Sequence, residues 1–236
     1  MNNGLLGDFK SDGIFTFSDI MGYLRGKFPA LQKDTLKWHL HELKRKGEIQ
    51  HVSRGLYTRS LKREFDGTVS PEMRSIFEEI TDKFPFAESC IWHTSWLNEF
   101  TELQQFHNYT VIESEKDTAE AVFHFLHGRY PQVFIEPDHD LFEKYISGNS
   151  NSIIVKAMVS ESPTQVADGI KIPTLEKLLV DCLADKVLFA GQQDFMDDIF
   201  QSAFTKYSLN TSRMKRYASR RNKQADISDL IQTYGK

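Results

Sequence analysis

Residues 34–47, DTLKWHLHELKRKG, decide how the amino-terminal part of this chain is read. Asp34 can cap a helix and favour its positive end. Leu36, Leu40 and Leu43 then recur at three- and four-residue intervals, which gives one apolar face. Gly47 supplies the left-handed position at which such a helix stops. At 100° per residue, Trp38, His41 and Arg45 point away from the leucines, with Lys37 and Lys44 on one shoulder. With Lys33 and Thr35 at the start of the helix, these are the candidate DNA contacts.

The flanking segments fit that reading. Residues 3–10 could form an opening helix that Gly13 breaks, and residues 14–17 are a brief strand-like run. Ser18 offers an N-cap for a helix to about residue 27, with Ile20, Met21 and Leu24 at helical spacing. Pro29 ends it. Downstream, residues 48–52 and 55–58 read as a short hairpin whose turn, Ser53-Arg54-Gly55, carries a guanidinium at its tip. Two helices across a short turn, followed by a hairpin with arginine at its tip, describe a winged helix-turn-helix over residues 1–60. Its second helix would enter the major groove, and Arg54 would reach backbone or minor groove. A charged helix face is by itself usually a solvated surface, so the weight rests on the coincidence of cap, stop and hairpin.

The charge distribution agrees. The whole chain of 236 residues has a formal charge of -4, yet residues 1–63 hold 12 basic and 6 acidic side chains. Residues 64–212 hold 10 basic against 25 acidic, and the last 24 residues hold 7 against 2. A basic head on an acidic body points to a polyanion at one end and a different partner at the other. A hydrophobic fraction of 40% excludes a disordered chain, and no apolar run reaches membrane-spanning length. Cys90 and Cys182 have no metal-type spacing and read as free thiols. With no signal-like start, the expected location is the cytoplasm.

Residues 61–70 have mixed charge and little apolar content, so they read as a linker to a second domain over 71–236. Pro71 suits the first position of a helix to residue 83, with Met73, Ile76, Phe77 and Ile80 on one face. Strands are expected over 87–92, 109–113, 133–136 and 152–159, with helices over 94–100, 118–127 and 141–146 between them. The end reads as helical over 174–189, 192–206, 208–222 and 227–234. The fold class expected is therefore α/β (α+β overall): a winged helix, then an α/β domain with a mixed central sheet and a helical carboxyl-terminal end.

The second domain carries few chemical signals. It has no glycine-rich phosphate loop, G-x-S-x-G element or HExxH helix. His124 and His127, spaced i, i+3, and His139 between two aspartates lack a defined fourth ligand, so no metal and no cofactor is expected. Glu113, Glu136 and Lys156 at strand ends suggest a Mg²⁺ nuclease, but position 154 is isoleucine where an acidic residue should precede the lysine. No catalytic residue is assigned.

Two stretches resemble one family. GEIQHVSRGLYT, residues 47–58, is similar to the G-x-[IL]-x-x-[VL]-x-[RK]-G-x-Y wing of AbiEi-like antitoxins of abortive-infection systems. GIKIPTLEKLLVDCLAD, residues 169–185, resembles that family's second mark, here Ile172, Pro173, Thr174, Glu176, Lys177, Leu178, Leu179 and Asp181. Residues 74–159 do not align with its better-known members. The resemblance implies an autorepressor that binds operator DNA and counteracts a nucleotidyltransferase-like toxin encoded alongside. The dense basic run Arg213, Lys215, Arg216, Arg220, Arg221 and Lys223 departs from the family and is a candidate partner or nucleic-acid contact. From the residues alone, Thr174 caps an amphipathic helix that buries Leu175, Leu178, Leu179, Cys182 and Leu183. Other classes compatible with the chain are a ligand-sensing transcription factor and a nuclease delivered by the winged helix.

Overall fold

Thr16 opens the first helix with a reciprocal cap. Its hydroxyl accepts from the Asp19 amide at 3.2 Å, and its own amide donates to the Asp19 carboxylate at 2.7 Å. This Thr-x-x-Asp arrangement satisfies two amides that the helix cannot. Helix α1 therefore spans Phe17–Lys27, and the cap is Thr16 rather than Ser18. The computed structural model describes residues 9, 14–30, 33–45, 49–53, 55–59, 62–101 and 107–235. The expected opening helix and Gly47 lie outside the described residues, Phe9 of that helix excepted.

Helix α2 spans Lys33–Arg45, so Asp34 lies inside its first turn instead of before it. Strands β1 (Ile14–Thr16), β2 (Ile49–Ser53) and β3 (Leu56–Arg59) form an antiparallel sheet in the order β1-β3-β2. Central Tyr57 pairs with Phe15 on one side and His51 on the other. Ile20, Met21 and Leu24 of α1 pack with Leu40 and Leu43 of α2 and with Phe15, Ile49 and Tyr57 of the sheet. That single cluster exists because both helices place their apolar residues at three- and four-residue spacing.

The chain divides into two units, Met1–Phe65 with Thr205–Asn210, and Asp66–Phe204 with Thr211–Lys236. The boundary between the units, Phe65 to Asp66, falls inside the segment expected as a linker. Arg63 makes an isolated parallel bridge with Tyr207, its amide donating to Lys206 O and its carbonyl accepting from Ser208 N, each at 2.9 Å. Beyond it, Trp96 Nε1 donates to the Thr68 carbonyl at 3.2 Å.

The second unit is mixed α/β. Ser70 caps α3 (Pro71–Lys83), and β4 (Ser89–His93), β5 (Thr110–Ser114), β6 (Val133–Ile135) and β7 (Ile153–Ala157) form one sheet ordered β4-β5-β7-β6. β4 runs antiparallel to β5, whereas β5, β7 and β6 are parallel. The parallel crossover carries α4 (Lys116–His127), which packs on β5, β6 and β7. The helix expected over 94–100 is a 3₁₀ helix, Thr94–Phe100. The helix expected over 141–146 is a short α5 (His139–Leu141) running into a π turn at Phe142–Ile146.

A hairpin of β8 (Thr164–Ala167) and β9 (Ile170–Pro173) was not expected. Asp168 and Gly169 turn it with positive φ of 50° and 81°, the Asp-Gly signature of a tight hairpin. Helices α6 (Leu175–Ala184), α7 (Met196–Lys206), α8 (Thr211–Arg220) and α9 (Gln224–Tyr234) complete the unit, with a 3₁₀ turn at Ala190–Phe195. Helix α6 stops short of residue 189 because the Asp185 carboxylate accepts from the Val187 and Leu188 amides, closing a turn. Among the described residues, no helix is long and apolar enough to cross a membrane.

Candidate functional site

In the first unit the candidate site is the outward face of α2. Leu40 and Leu43 are buried, and residues 100° per step away from them must face outward. Trp38 is 57% exposed, and Thr35, Lys37 and His41 are exposed with it. Thr35, Trp38 and His41 follow one another at three-residue intervals and so share a face, with Lys37 on its shoulder. Trp38 is held edge-on to His39, ring centroids 5.1 Å apart, while His39 stacks on Phe28. Lys33, Lys44 and Arg45 lie on α2, but their side chains fall outside the described residues, as does all of Arg54. The turn that Arg54 would occupy is flanked by Gly55, whose φ of 78° is a left-handed position.

The second unit holds a different arrangement, a charged network on one face of its mixed sheet. Pairing sets Cys90 beside Glu113 and Glu113 beside Lys156, so these share a face with Trp92 and Val111. Lys177 of α6 is fully buried and reaches Glu113 at 2.5 Å and Asp181 at 2.6 Å. Trp92 Nε1 donates to Glu113 at 2.9 Å, and the Tyr217 hydroxyl donates to Asp181 at 2.8 Å. Arg221 Nε lies 3.0 Å from Asp181 without hydrogen-bond alignment. Lys156 completes the series, 2.8 Å from Asp185 and 3.4 Å from Glu136. Glu136 adopts a positive φ of 39° and also accepts from the Ala157 amide at 2.7 Å.

Burial opposes the charge on Lys177, but Asp181 and Glu113 outweigh it and hold its pKa well above the usual lysine range. Lys156 is likewise raised by Asp185 and Glu136 against its own desolvation. Burial alone would raise Asp185, yet Lys156 and the Leu188 amide bring it below the usual carboxylate range. Burial pushes the Tyr217, Cys90 and Cys182 pKa values up, so both thiols are unreactive. Between Glu113, Lys156, Asp181, Asp185, Tyr217 and Arg221 lies a space of about 20 Å³, room for one water.

This geometry changes the reading of several residues. Glu176 and Lys177, which open the helix expected to bury one side, are themselves buried with Asp181, and Leu183 is half-buried. Thr174 does cap α6, accepting from the Lys177 amide. Glu113 and Lys156 line the same small space and Glu136 pairs with Lys156, but the ion-pair partner of Glu113 is Lys177. His124, His127 and His139 are exposed, and among the described residues no group of three or more His, Cys, Asp or Glu side chains can hold a metal ion. Of the basic run, Arg213 pairs with Glu176, Arg220 with Glu161, Arg221 with Asp181 and Lys223 with Asp226. Lys215 and Arg216 alone in that run are exposed on α8 with no ion pair among the described residues.

The fold thus defines a two-unit chain: a helix pair on a small antiparallel sheet, joined to a mixed α/β unit with a charged interior. Residues 35–236 match the family DUF6577, described as a family of unknown function, and the chain belongs to that family. No curated protein matches it.

Proposed function

We propose that this chain is a DNA-binding regulator whose first unit is a winged helix that holds operator DNA with α2. The observation that carries the reading is the exposed face Thr35, Trp38 and His41, with Lys37 beside it, on the second of two packed helices. A large aromatic left 57% exposed near Lys37 on the outward face of the helix suits a partner surface, and a duplex groove fits the size of one helix. The β2–β3 hairpin follows α2 as a wing does. The basic balance of this end, 12 against 6 charged side chains in residues 1–63, supplies phosphate attraction.

The second unit acts, in this reading, as an AbiEi-like antitoxin domain against a nucleotidyltransferase-like toxin encoded alongside. Its support is the resemblance of residues 169–185, whose Thr174, Lys177 and Asp181 build the cap and the buried lock of α6. The test is twofold. The full-length chain should shift DNA from the promoter region of its own operon, and its expression should rescue growth of cells making the product of the adjacent gene. Rescue without DNA binding would keep the antitoxin reading and remove autorepression.

A further inference from the structure

We propose that the space among the charged side chains of the second unit is a binding site for one ordered water, held between Arg221 and Glu113. Every residue that lines the space belongs to that unit. Arg221 Nε is buried, and its N–H has no hydrogen-bond partner among the described residues, although the Asp181 carboxylate lies 3.0 Å away. Leaving a buried donor unpaired costs more than an average hydrogen bond contributes, so this N–H calls for an acceptor.

The other partners of that acceptor follow by elimination. Of the carboxylates lining the space, Asp181 receives the Tyr217 hydroxyl on Oδ1 and Lys177 on Oδ2. Asp185 receives the Val187 and Leu188 amides on Oδ1 and Lys156 on Oδ2. Glu113 takes both of its donors, Trp92 Nε1 and Lys177 Nζ, on Oε1, and no described residue donates to Oε2. Lys156 Nζ faces Asp185 and Glu136 with two of its three N–H groups, which leaves one more. A single water answers all three: its oxygen accepts from Arg221 Nε and Lys156 Nζ, and it donates to Glu113 Oε2. About three hydrogen bonds are what a buried water makes, and a space of about 20 Å³ holds one. An ion is disfavoured there whatever its sign. An anion would face the carboxylates of Glu113, Asp181 and Asp185, and a cation would face Lys156 and Arg221. The water thereby ties the residue that follows α8 to β5, an interior strand of the sheet. None of this rests on the function proposed above.

The test is a crystal structure of the full-length chain at a resolution that shows ordered waters, with the Arg221 Hε resonance followed by NMR in solution. A density peak about 2.6–3.2 Å from both Arg221 Nε and Glu113 Oε2 is the expected result. In solution, Arg221 Hε should give the rotating-frame Overhauser cross-peak of a water that stays bound. Arg221→Met keeps the length of the side chain without the N–H, and the density peak should be lost in its crystals. Arg221 Nε bonded directly to Asp181, with no peak bridging it to Glu113, would overturn the proposal. So would a peak that scatters as heavily as chloride, or one that persists unchanged in Arg221→Met. The natural chain decides the question if that variant fails to fold.

Discussion

Lys177 and Asp181 stand one turn apart on α6 with Nζ 2.6 Å from Oδ2, and the lysine is closed off from solvent completely. An i, i+4 pair on a helix surface is worth a few tenths of a kcal/mol. Here the pair is a lock between layers, because Glu113 of β5 shares the ammonium and Tyr217, with Arg221 beyond α8, shares the carboxylate. A buried ion must be fully partnered to be tolerated, and this one is.

Lys177→Ala should therefore lower stability by about 3 to 5 kcal/mol, since it leaves Glu113 and Asp181 buried with too little positive charge. Urea unfolding followed by tryptophan fluorescence measures it, with Trp92 bonded to Glu113 as a local reporter. A loss below about 1 kcal/mol would mean that the network is hydrated and weak.

The pH dependence follows from the same side chains. Burial holds His93 below the usual histidine pKa, so its contribution is complete above about pH 6.5 and is lost as pH falls through its folded value. Asp185, lowered by Lys156, contributes above about pH 4 and loses that contribution below it. Lys177 and Lys156 are raised, so theirs is complete below about pH 10 and fails only above it. Cys90 and Cys182, raised by burial, contribute fully only below about pH 8.5, so melting temperature against pH should show a shallow fall starting near pH 6.5, a steep one near pH 4, and a plateau that ends at about pH 8.5.

The carboxyl-terminal basic run divides into two groups with opposite expected behaviour. Arg221→Glu sets a new carboxylate beside Asp181 and should destabilise the second unit by several kcal/mol, on the order of a broken buried pair. Lys215→Glu with Arg216→Glu changes only exposed positions and should stay within about 0.5 kcal/mol of the natural chain. Circular dichroism melts of the variants check both. Only the second pair can then report whether α8 touches a partner or nucleic acid.

Gly67 is a further sensitive point. Its φ is +58°, and a Cβ there would meet Ile172 Cδ1 at 2.8 Å and the Trp96 ring at 2.9 Å. Gly67→Ala combines a strained backbone with overpacking and should cost about 1 to 3 kcal/mol. An unchanged unfolding midpoint would show that the 66–69 segment can lift away.

Much of the fold was legible because it is written in periodicity. The apolar stripes of α1, α2 and α3 and the parallel strands gave element type and order, within a residue or two at the ends. Elements set by single side chains were harder. Thr16 won the first cap over Ser18 because Asp19 could answer it three residues on. The β8–β9 hairpin carried its signal openly in Asp168-Gly169, but its strands are short and half polar. The charged network was hidden because α6 buries both of its faces. Its signal was a lysine and an aspartate four apart inside a helix whose other residues, Glu176 excepted, are apolar. The Arg63–Tyr207 bridge could not be read at all, since nothing local in Tyr207 names Arg63 as its partner 144 residues away.

DNA recognition by α2 is tested most directly by titrating the full-length chain against its own promoter DNA over a range of salt, with Lys37→Ala, Trp38→Ala and His41→Ala. Affinity should fall linearly on logarithmic axes as salt rises. Lys37→Ala should weaken all sequences alike and reduce the slope by about one, for the single phosphate its ammonium neutralises. Trp38→Ala and His41→Ala should instead narrow the gap between promoter and unrelated DNA by about 1 to 3 kcal/mol for each base contact. Binding that ignores salt, or a preference for the promoter that survives all three substitutions, would contradict a winged helix reading DNA through α2.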